Sequence, residues 1–168
     1  CPFANIAQCT NSILATRMGL SLSDYVVTEA GFGADLGSEK FMYIKCGYAG
    51  LKPHALVLVA TIRALRHHGG AKKAAYNTPD LEKVKAGFEN LEKHIENCRK
   101  FGLTPVVAIN HFETDSQDEI SFVQQRCEQL GVKAILSKGW SQGGDGMKEI
   151  AETVVENIDS GVNQFKAL

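Results

Sequence analysis

Two kinds of apolar pattern alternate along the chain. Short continuous apolar or β-branched runs predict strands at residues 25–30, 55–60, 105–110 and 132–136. Apolar residues spaced three and four apart predict helices at residues 11–22, 79–101, 115–130 and 147–158, with a shorter helix over 38–46. Residues 66–78 contain His, Gly and Lys without an apolar period, so we expect a long loop there.

The alternation of strands and helices predicts an α/β fold with a mostly parallel sheet and helices on both faces. Continuous apolar strands are typical of parallel sheets that are covered on both faces. Ligands of such sheets bind beyond the carboxyl ends of the strands. We therefore expect the segments after Ala30, Thr61, Asn110 and Leu136 to line one edge of the sheet and to contain the binding residues.

Polar residues mark the expected helix starts. Thr78 followed by Pro79 predicts an N-cap and a first helical position. Ser38 is expected to cap the short helix over 38–46. Either Thr114 or Asp115 is expected to cap the helix over 115–130.

Composition narrows the function classes. The 168 residues carry a net charge of −1 with Lys and Arg scattered among acids, so we expect no nucleic-acid surface. No apolar run is long enough for a membrane span, and no signal-peptide pattern is present, so we expect no membrane partner. The five cysteines include no CxxC pair, which favours buried free thiols in a reducing cytoplasm over a metal site.

A glycine-rich segment follows the first predicted strand. Gly31-x-Gly33-x-x-x-Gly37 nearly matches the dinucleotide-binding fingerprint, but Glu29 and Asp35 beside it would repel a pyrophosphate. A tight turn that needs glycine dihedrals and a close backbone approach to a ligand are two equally good interpretations, and both rank above dinucleotide binding. No GxxxxGK[ST] sequence for a phosphate-binding P-loop occurs in the 168 residues.

Aromatic residues stand in two polar loops that follow consecutive predicted strands. Phe112 lies in the segment 110–115, and Trp140, the single tryptophan, lies in the Gly-flanked segment 138–144. Two rings on neighbouring loops can sandwich a flat heterocycle and gain stacking in addition to area burial. The alternatives are an Asx-type turn for the first loop and a tryptophan ring folded back onto the core for the second. The spacing favours the sandwich.

Several long motifs resemble those of formate–tetrahydrofolate ligases. They are PFANIA at 2–7, VVTEAGFGADLG at 26–37, IKC and AGLKP within 44–53, and VATIRAL and HGG within 59–70. The resemblance runs through the whole chain in order and corresponds to a middle part of the family's usual length. It implies a three-layer architecture like that of P-loop NTPases.

The resemblance also implies a reaction. Members of this family use ATP, with Mg²⁺, to phosphorylate formate, and tetrahydrofolate then attacks the formyl phosphate to give 10-formyltetrahydrofolate in cytoplasmic one-carbon metabolism. The full enzymes are usually homotetramers, and their P-loop precedes the position of Cys1. We therefore expect the chain to be an inactive piece of such an enzyme that at most binds folate weakly. The alternatives are a folate- or pterin-binding module without turnover and, less favoured, a dinucleotide-binding domain.

Site residues follow from the resemblance by position. Phe112 and Trp140 match the two aromatic walls of the pterin site, and Leu136 matches an apolar contact to the same ring. The remaining matches lie near the formyl phosphate or the folate, and they are Ala4, Asn5, Gly31, Phe32 and Gly33. Residues 1–53 correspond to the end of the nucleotide and formyl-phosphate domain, and 54–168 to a second α/β domain that carries the pterin-binding loops.

Five positions depart from the family pattern. The family has Gly at Cys1, often His-Gly at Gln8 and Cys9, often Arg at Gly47, and in bacteria often Pro at Glu113. A missing Gly restricts the backbone, and a missing His or Arg removes a donor near an anion. These departures therefore concern the formyl-phosphate side more than the pterin side.

Overall fold

The chain folds as two compact units. A computed structural model describes residues 10–166. Of these, residues 10–53 with 165–166 belong to the first unit, and His54–Gln164 forms the second.

The second unit contains a parallel sheet of three strands. These are β1 (Val57–Ala60), β2 (Val106–Asn110) and β3 (Ala134–Ser137), in the order β1-β2-β3. The register pairs Val59 with Ala108, and Ala108 with Ile135. The prediction of an α/β fold is confirmed, and each strand begins one or two residues later than its apolar run.

The central strand carries the core. Four of the five residues of β2 are buried, so both of its faces are covered, because successive side chains point to opposite faces. On one face Val106 and Ala108 pack with Ile135 and Ile150. Burial on both faces explains why this segment reads as a continuous apolar run.

Helices occupy most of the remaining chain of the second unit. They are α3 (Ile62–His68), α4 (Leu81–Lys100), α5 (Gln117–Gln129), the single turn α6 (Gly139–Gln142) and α7 (Lys148–Asp159). The helices α1 (Ile13–Leu22) and α2 (Gly47–Ala49) belong to the first unit. Among residues 10–166, no helix combines the length and the apolar composition that crossing a membrane requires.

The predicted loop over 66–78 is wrong at its start, where α3 continues through His68. Thr61 begins this helix, since its hydroxyl accepts a hydrogen bond from the backbone N–H of Ala64 at 3.0 Å. Leu65 and Arg66 are buried on one side of α3. A buried arginine has no apolar signature, so the helical period was hidden.

Two predicted caps are also wrong. Asp80 caps α4 in place of Thr78, because its carboxylate accepts from the N–H of Lys83 at 3.1 Å. Ser116 caps α5 in place of Thr114 or Asp115, since Ser116 and Glu119 form a reciprocal capping box. In each case more than one residue able to cap stands near the helix start, and contacts with Glu119 determine which of them becomes the cap.

Helices α3 and α4 pack closely at a glycine. A Cβ at Gly87 would lie 1.9 Å from the backbone oxygen of Leu65 and 2.8 Å from the backbone nitrogen of Gly69. Neither backbone atom can rotate away as a side chain can, so only a glycine fits between these two helices.

We expect Gly87→Ala to lower the free energy of unfolding by about 1–3 kcal/mol, because the added methyl group must push the two backbones apart. Urea denaturation followed by circular dichroism measures this loss. Gly144→Ala is the control, since a Cβ there meets nothing within 4 Å. Equal losses in the two variants would show that helix contact at Gly87 is not the cause.

The first unit is helical in the described residues. Its elements are α1 (Ile13–Leu22), π-helical turns at Gly33–Ser38 and Phe41–Cys46, and the short α2 (Gly47–Ala49). The predicted strand over 25–30 does not form, and the side chain of Val27 is 95% exposed. A β-branched run makes a strand only where a partner strand pairs with it, and in the described residues none does.

The helical stretch of the first unit begins at Gly33 and not at Ser38 as predicted. The hydroxyl of Ser38 donates to the backbone oxygen of Ala34 at 2.7 Å, as serines inside helices do, and does not cap. The glycines that predicted a turn therefore lie at the start of the helical stretch itself.

Candidate functional site

The carboxyl ends of the three strands lie at one edge of the sheet. Asn110 pairs with Ser137 in register, and the N–H of His111 donates to the oxygen of Ser137 at 3.1 Å. The loops that follow β1, β2 and β3 therefore start side by side, as predicted for three of the four segments. The fourth, after Ala30, follows no strand.

The loop after β2 presents Phe112. The N–H of Phe112 donates to the carboxylate of Asp115 at 2.8 Å, and the N–H of Asp115 donates back to the oxygen of Phe112 at 2.9 Å. The predicted Asx-type turn, in which Asp115 would accept from an N–H that follows it, is therefore wrong, and the loop is a four-residue turn closed by two hydrogen bonds. It holds the half-buried Phe112 and leaves Glu113, a departure from the family pattern, exposed.

Arg63 lies against Phe112. Its guanidinium carbon is 3.8 Å from the centroid of the ring, and Nη2 donates to the hydroxyl of Thr114 at 3.4 Å. The residue stands in the first turn of α3, directly after β1. The sequence did not predict this contact, because the two residues are far apart in the chain and no sequence pattern links them.

An ion pair buried beneath the same loop joins α3 to α5. Arg66 donates to both carboxylate oxygens of Glu119, at 2.8 and 2.6 Å, and both side chains are fully buried. Arg66 also donates to the backbone oxygens of Tyr76 at 2.6 Å and Thr114 at 3.1 Å. Arg66 thus holds the segment before α4 and the Phe112 loop together through hydrogen bonds to both.

Glu119 is satisfied on both oxygens. Besides Arg66, it accepts from the N–H of Asp80 at 2.9 Å and from the N–H and hydroxyl of Ser116 at 3.0 and 2.8 Å. Burial by itself would raise the pKa of Glu119, but these hydrogen bonds outweigh burial and lower the pKa to about 2. The sequence signal for this residue was the Ser-x-x-Glu spacing of a capping box.

The shifted pKa of Glu119 makes the second unit sensitive to acid. A carboxyl group whose pKa is lower in the folded than in the unfolded state stabilises the fold fully above the unfolded value of about 4.5, and this contribution is lost as the pH falls toward 2. We expect a loss on the order of 3 kcal/mol over that range. Urea denaturation at a series of pH values measures it. The variant Glu119→Gln should lack this component, and parallel pH profiles for the two proteins would contradict it.

Trp140 stands on α6 in the loop after β3, and its side chain is 93% exposed. The interpretation of this ring as a lid folded onto the core is therefore wrong. The N–H of Lys138 donates to the oxygen of Gly146 at 3.1 Å, which closes the loop at its base. A ring this large, this exposed and held on a closed loop is available to a ligand.

Leu136 lies near the carboxyl end of β3. It is half-buried on β3 and pairs with Ile109 of β2, one residue before the end of each strand. Phe112, Leu136 and Trp140 therefore all lie on or just beyond the carboxyl ends of neighbouring strands. Among the predicted site residues, these three share one edge of the sheet.

The other predicted residues belong to the first unit. Phe32 is fully exposed there. Gly33 has φ +77°, and a Cβ at Gly37 would lie 1.8 Å from the backbone oxygen of Gly31, so both positions require glycine where the helical stretch begins. The dinucleotide fingerprint lacks the strand that must precede it, since residues 25–30 form none. Ala4 and Asn5 lie outside the described residues.

The first unit contains a buried lysine, Lys45. The side chain of Lys45 donates to the amide oxygen of Asn11 at 2.8 Å and to the hydroxyl of Thr10 at 3.1 Å, and it lies 5.1 Å from the ring centroid of Phe41. Burial lowers the pKa of Lys45, which the nearby Cys46 partly offsets. No carboxylate lies within 4.0 Å of this amine among the described residues.

Three cysteines of the described chain are free and buried, as predicted. They are Cys46, Cys98 and Cys127. Burial raises the pKa of each thiol to about 11. Such thiols remain protonated near neutral pH and are poor nucleophiles. In the part of the chain that the structure describes, no group of three or more His, Cys, Asp or Glu side chains is arranged to hold a metal ion.

Comparison with known proteins gives one consistent result. The family model described as formate–tetrahydrofolate ligase matches residues 1–168. A protein of Methylococcus capsulatus (strain ATCC 33009 / NCIMB 11132 / Bath) named formate–tetrahydrofolate ligase is 55% identical to this chain over 159 residues. The match covers 94% of this chain but 28% of the length of that relative.

Proposed function

Because the chain belongs to the formate–tetrahydrofolate ligase family, we propose that it is the folate-binding part of an ATP-dependent ligase that joins formate to tetrahydrofolate. The product of the whole enzyme is 10-formyltetrahydrofolate, formed through formyl phosphate. The observation that carries the proposal is the placement of Phe112 and Trp140 on loops that follow adjacent parallel strands. This is the edge at which such sheets bind ligands.

The pterin ring of tetrahydrofolate suits this edge. It is flat and partly apolar, and two aromatic rings can hold it by stacking, with Leu136 as an apolar contact at its rim. The exposed Trp140 would lose its water contacts on binding, which adds hydrophobic stabilisation. The role of these residues is to fix the plane of the ring, so that the reacting amine is held in one position.

The two units would divide the reaction between them. We assign the pterin side to the second unit and the formyl-phosphate side to the first, where Gly31 and Gly33 lie in the motif shared with the family. Phe32, in the same motif, is assigned to folate binding. The ammonium group of Lys45, which no carboxylate neutralises among the described residues, supplies positive charge in that unit. Positive charge would favour a phosphorylated substrate.

Binding the phosphates of ATP requires further residues. The 168 residues contain no P-loop sequence, so in this proposal the Mg²⁺–ATP site is contributed by parts of the enzyme beyond this sequence. The proposal places the whole enzyme in the cytoplasm, in one-carbon metabolism, as a homotetramer with small-molecule substrates.

The fluorescence of the single tryptophan tests the proposed function. We expect tetrahydrofolate to quench the emission of Trp140 along a saturating curve, because the pterin stacks on its ring. p-Aminobenzoylglutamate, which has the tail of folate without the pterin, is the control ligand and should quench far less. Quenching that grows linearly with both compounds would show that no pterin site forms at Trp140.

A further inference from the structure

The guanidinium of Arg63 stacks on one face of the Phe112 ring. Arg63 follows β1 and Phe112 follows β2, so neighbouring strands bring the two side chains together. With the guanidinium carbon 3.8 Å from the ring centroid, the cation covers one face of Phe112 at stacking distance. A second flat group can therefore stack on Phe112 only from the opposite face.

The surroundings of Arg63 show that the ring is its main partner. No carboxylate lies within 4.0 Å of this guanidinium in the described residues, in contrast to Arg66 nearby, which pairs with Glu119. The Nε of Arg63 is buried without a hydrogen-bond partner. The long bond to the hydroxyl of Thr114, at 3.4 Å, compensates little.

An arginine held in this way carries a cost. An unsatisfied buried N–H destabilises the fold, and a long, flexible side chain loses rotamer freedom when it is fixed. If Arg63 only stabilised the fold, its side chain could extend into solvent from the first turn of α3, and both costs would be avoided. The contact with Phe112 is the better formed of the two described interactions of Arg63, and it accounts best for its placement.

We infer that Arg63 is a positioning residue of the folate site, an inference that rests on the proposed function. It fixes the plane of the Phe112 ring from behind and leaves the opposite face open to the pterin. A ring that is fixed before binding loses less freedom when the ligand stacks on it, which favours affinity. Arg63 acts through Phe112 and touches no ligand itself.

A double-mutant cycle on the full chain tests this inference. Arg63→Met removes the guanidinium group and keeps an unbranched apolar side chain in place of its stem, and we expect it to raise the Kd for tetrahydrofolate about three- to tenfold. Arg63→Lys should retain part of the affinity. In a Phe112→Ala background, Arg63→Met should have no further effect, because the ring through which it acts is gone.

Arg126→Met is the matched control. The guanidinium of Arg126 also lies over a phenylalanine ring, 5.4 Å from the centroid of Phe88, but it stands near the end of α5, not at the loops that follow the strands. We expect its Kd to equal that of the wild type. A similar loss in both arginine variants would overturn the inference, because it would reflect a general loss of stability.

Nuclear magnetic resonance detects the contact without any ligand. The Hε resonance of Arg63 should be shifted upfield by the ring current of Phe112 and return to its ordinary position in Phe112→Ala. The inference alone fails if Phe112→Ala weakens binding while Arg63→Met binds like the wild type, if the two effects simply add, or if the upfield shift is absent. If Phe112→Ala and Trp140→Ala both leave the Kd unchanged, the proposed function fails, and the inference fails with it.

Discussion

Arg66→Met is expected to lower the free energy of unfolding of the second unit by about 3–5 kcal/mol. The change leaves Glu119 as a fully buried carboxylate without its cation, and it removes the donor from the backbone oxygens of Tyr76 and Thr114. A buried charge without a partner costs far more than the pair gains. Urea denaturation of the wild type and the variant, followed by circular dichroism, gives the difference.

Two further variants identify the cause of that loss. Arg126→Met breaks a partly exposed pair in which Arg126 lies 3.5 Å from Glu92, and it should cost at most about 1 kcal/mol. Arg66→Met combined with Glu119→Leu removes both charges of the closest pair and should recover part of the stability, although Asp115, 3.8 Å from Arg66, still loses its cation. If the double variant is as unstable as Arg66→Met alone, the isolated carboxylate is not the source of the loss.

The central strand of the second unit was predictable because it is buried on both faces. Its four buried residues, 106–109, must all be apolar to fit there, and this leaves a continuous run in the sequence. The long helix α4 was equally clear, since Val84, Phe88, Leu91 and Ile95 are buried at the spacing of one helix face.

The errors arose where structure depends on distant residues. The run over 25–30 has the composition of a strand, yet strand formation needs a partner that local sequence does not reveal. Asp80 and Ser116 became caps through contacts with Glu119, which other capping residues beside them do not make. The burial of Arg66 depends on an acid 53 residues away in sequence.

The candidate site was predicted in part for a similar reason. The rule that ligands bind beyond the carboxyl ends of parallel strands pointed to Phe112 and Trp140 as soon as the strands were recognised. Nothing in the sequence pointed to Arg63, because a cation stacked on a ring has no local pattern. The exposure of Trp140 was likewise open until the structure excluded a ring folded onto the core.

Trp140→Ala is expected to weaken tetrahydrofolate binding by about 1–3 kcal/mol, or about 5- to 150-fold in Kd. The ring is 93% exposed, so its removal takes little from the core, and the free energy of unfolding should change by less than about 0.5 kcal/mol. The variant therefore separates a loss of ligand contact from a loss of fold. Trp140→Phe keeps an aromatic face and should retain most of the affinity.

Isothermal titration calorimetry of tetrahydrofolate with the wild type, Trp140→Phe and Trp140→Ala tests the central claim, that the strand-end loops bind the pterin, most directly. The account predicts affinities that fall in that order while the three proteins unfold at the same urea concentration. Equal Kd values for the wild type and Trp140→Ala would contradict it, because no wall of the site would then be formed by Trp140.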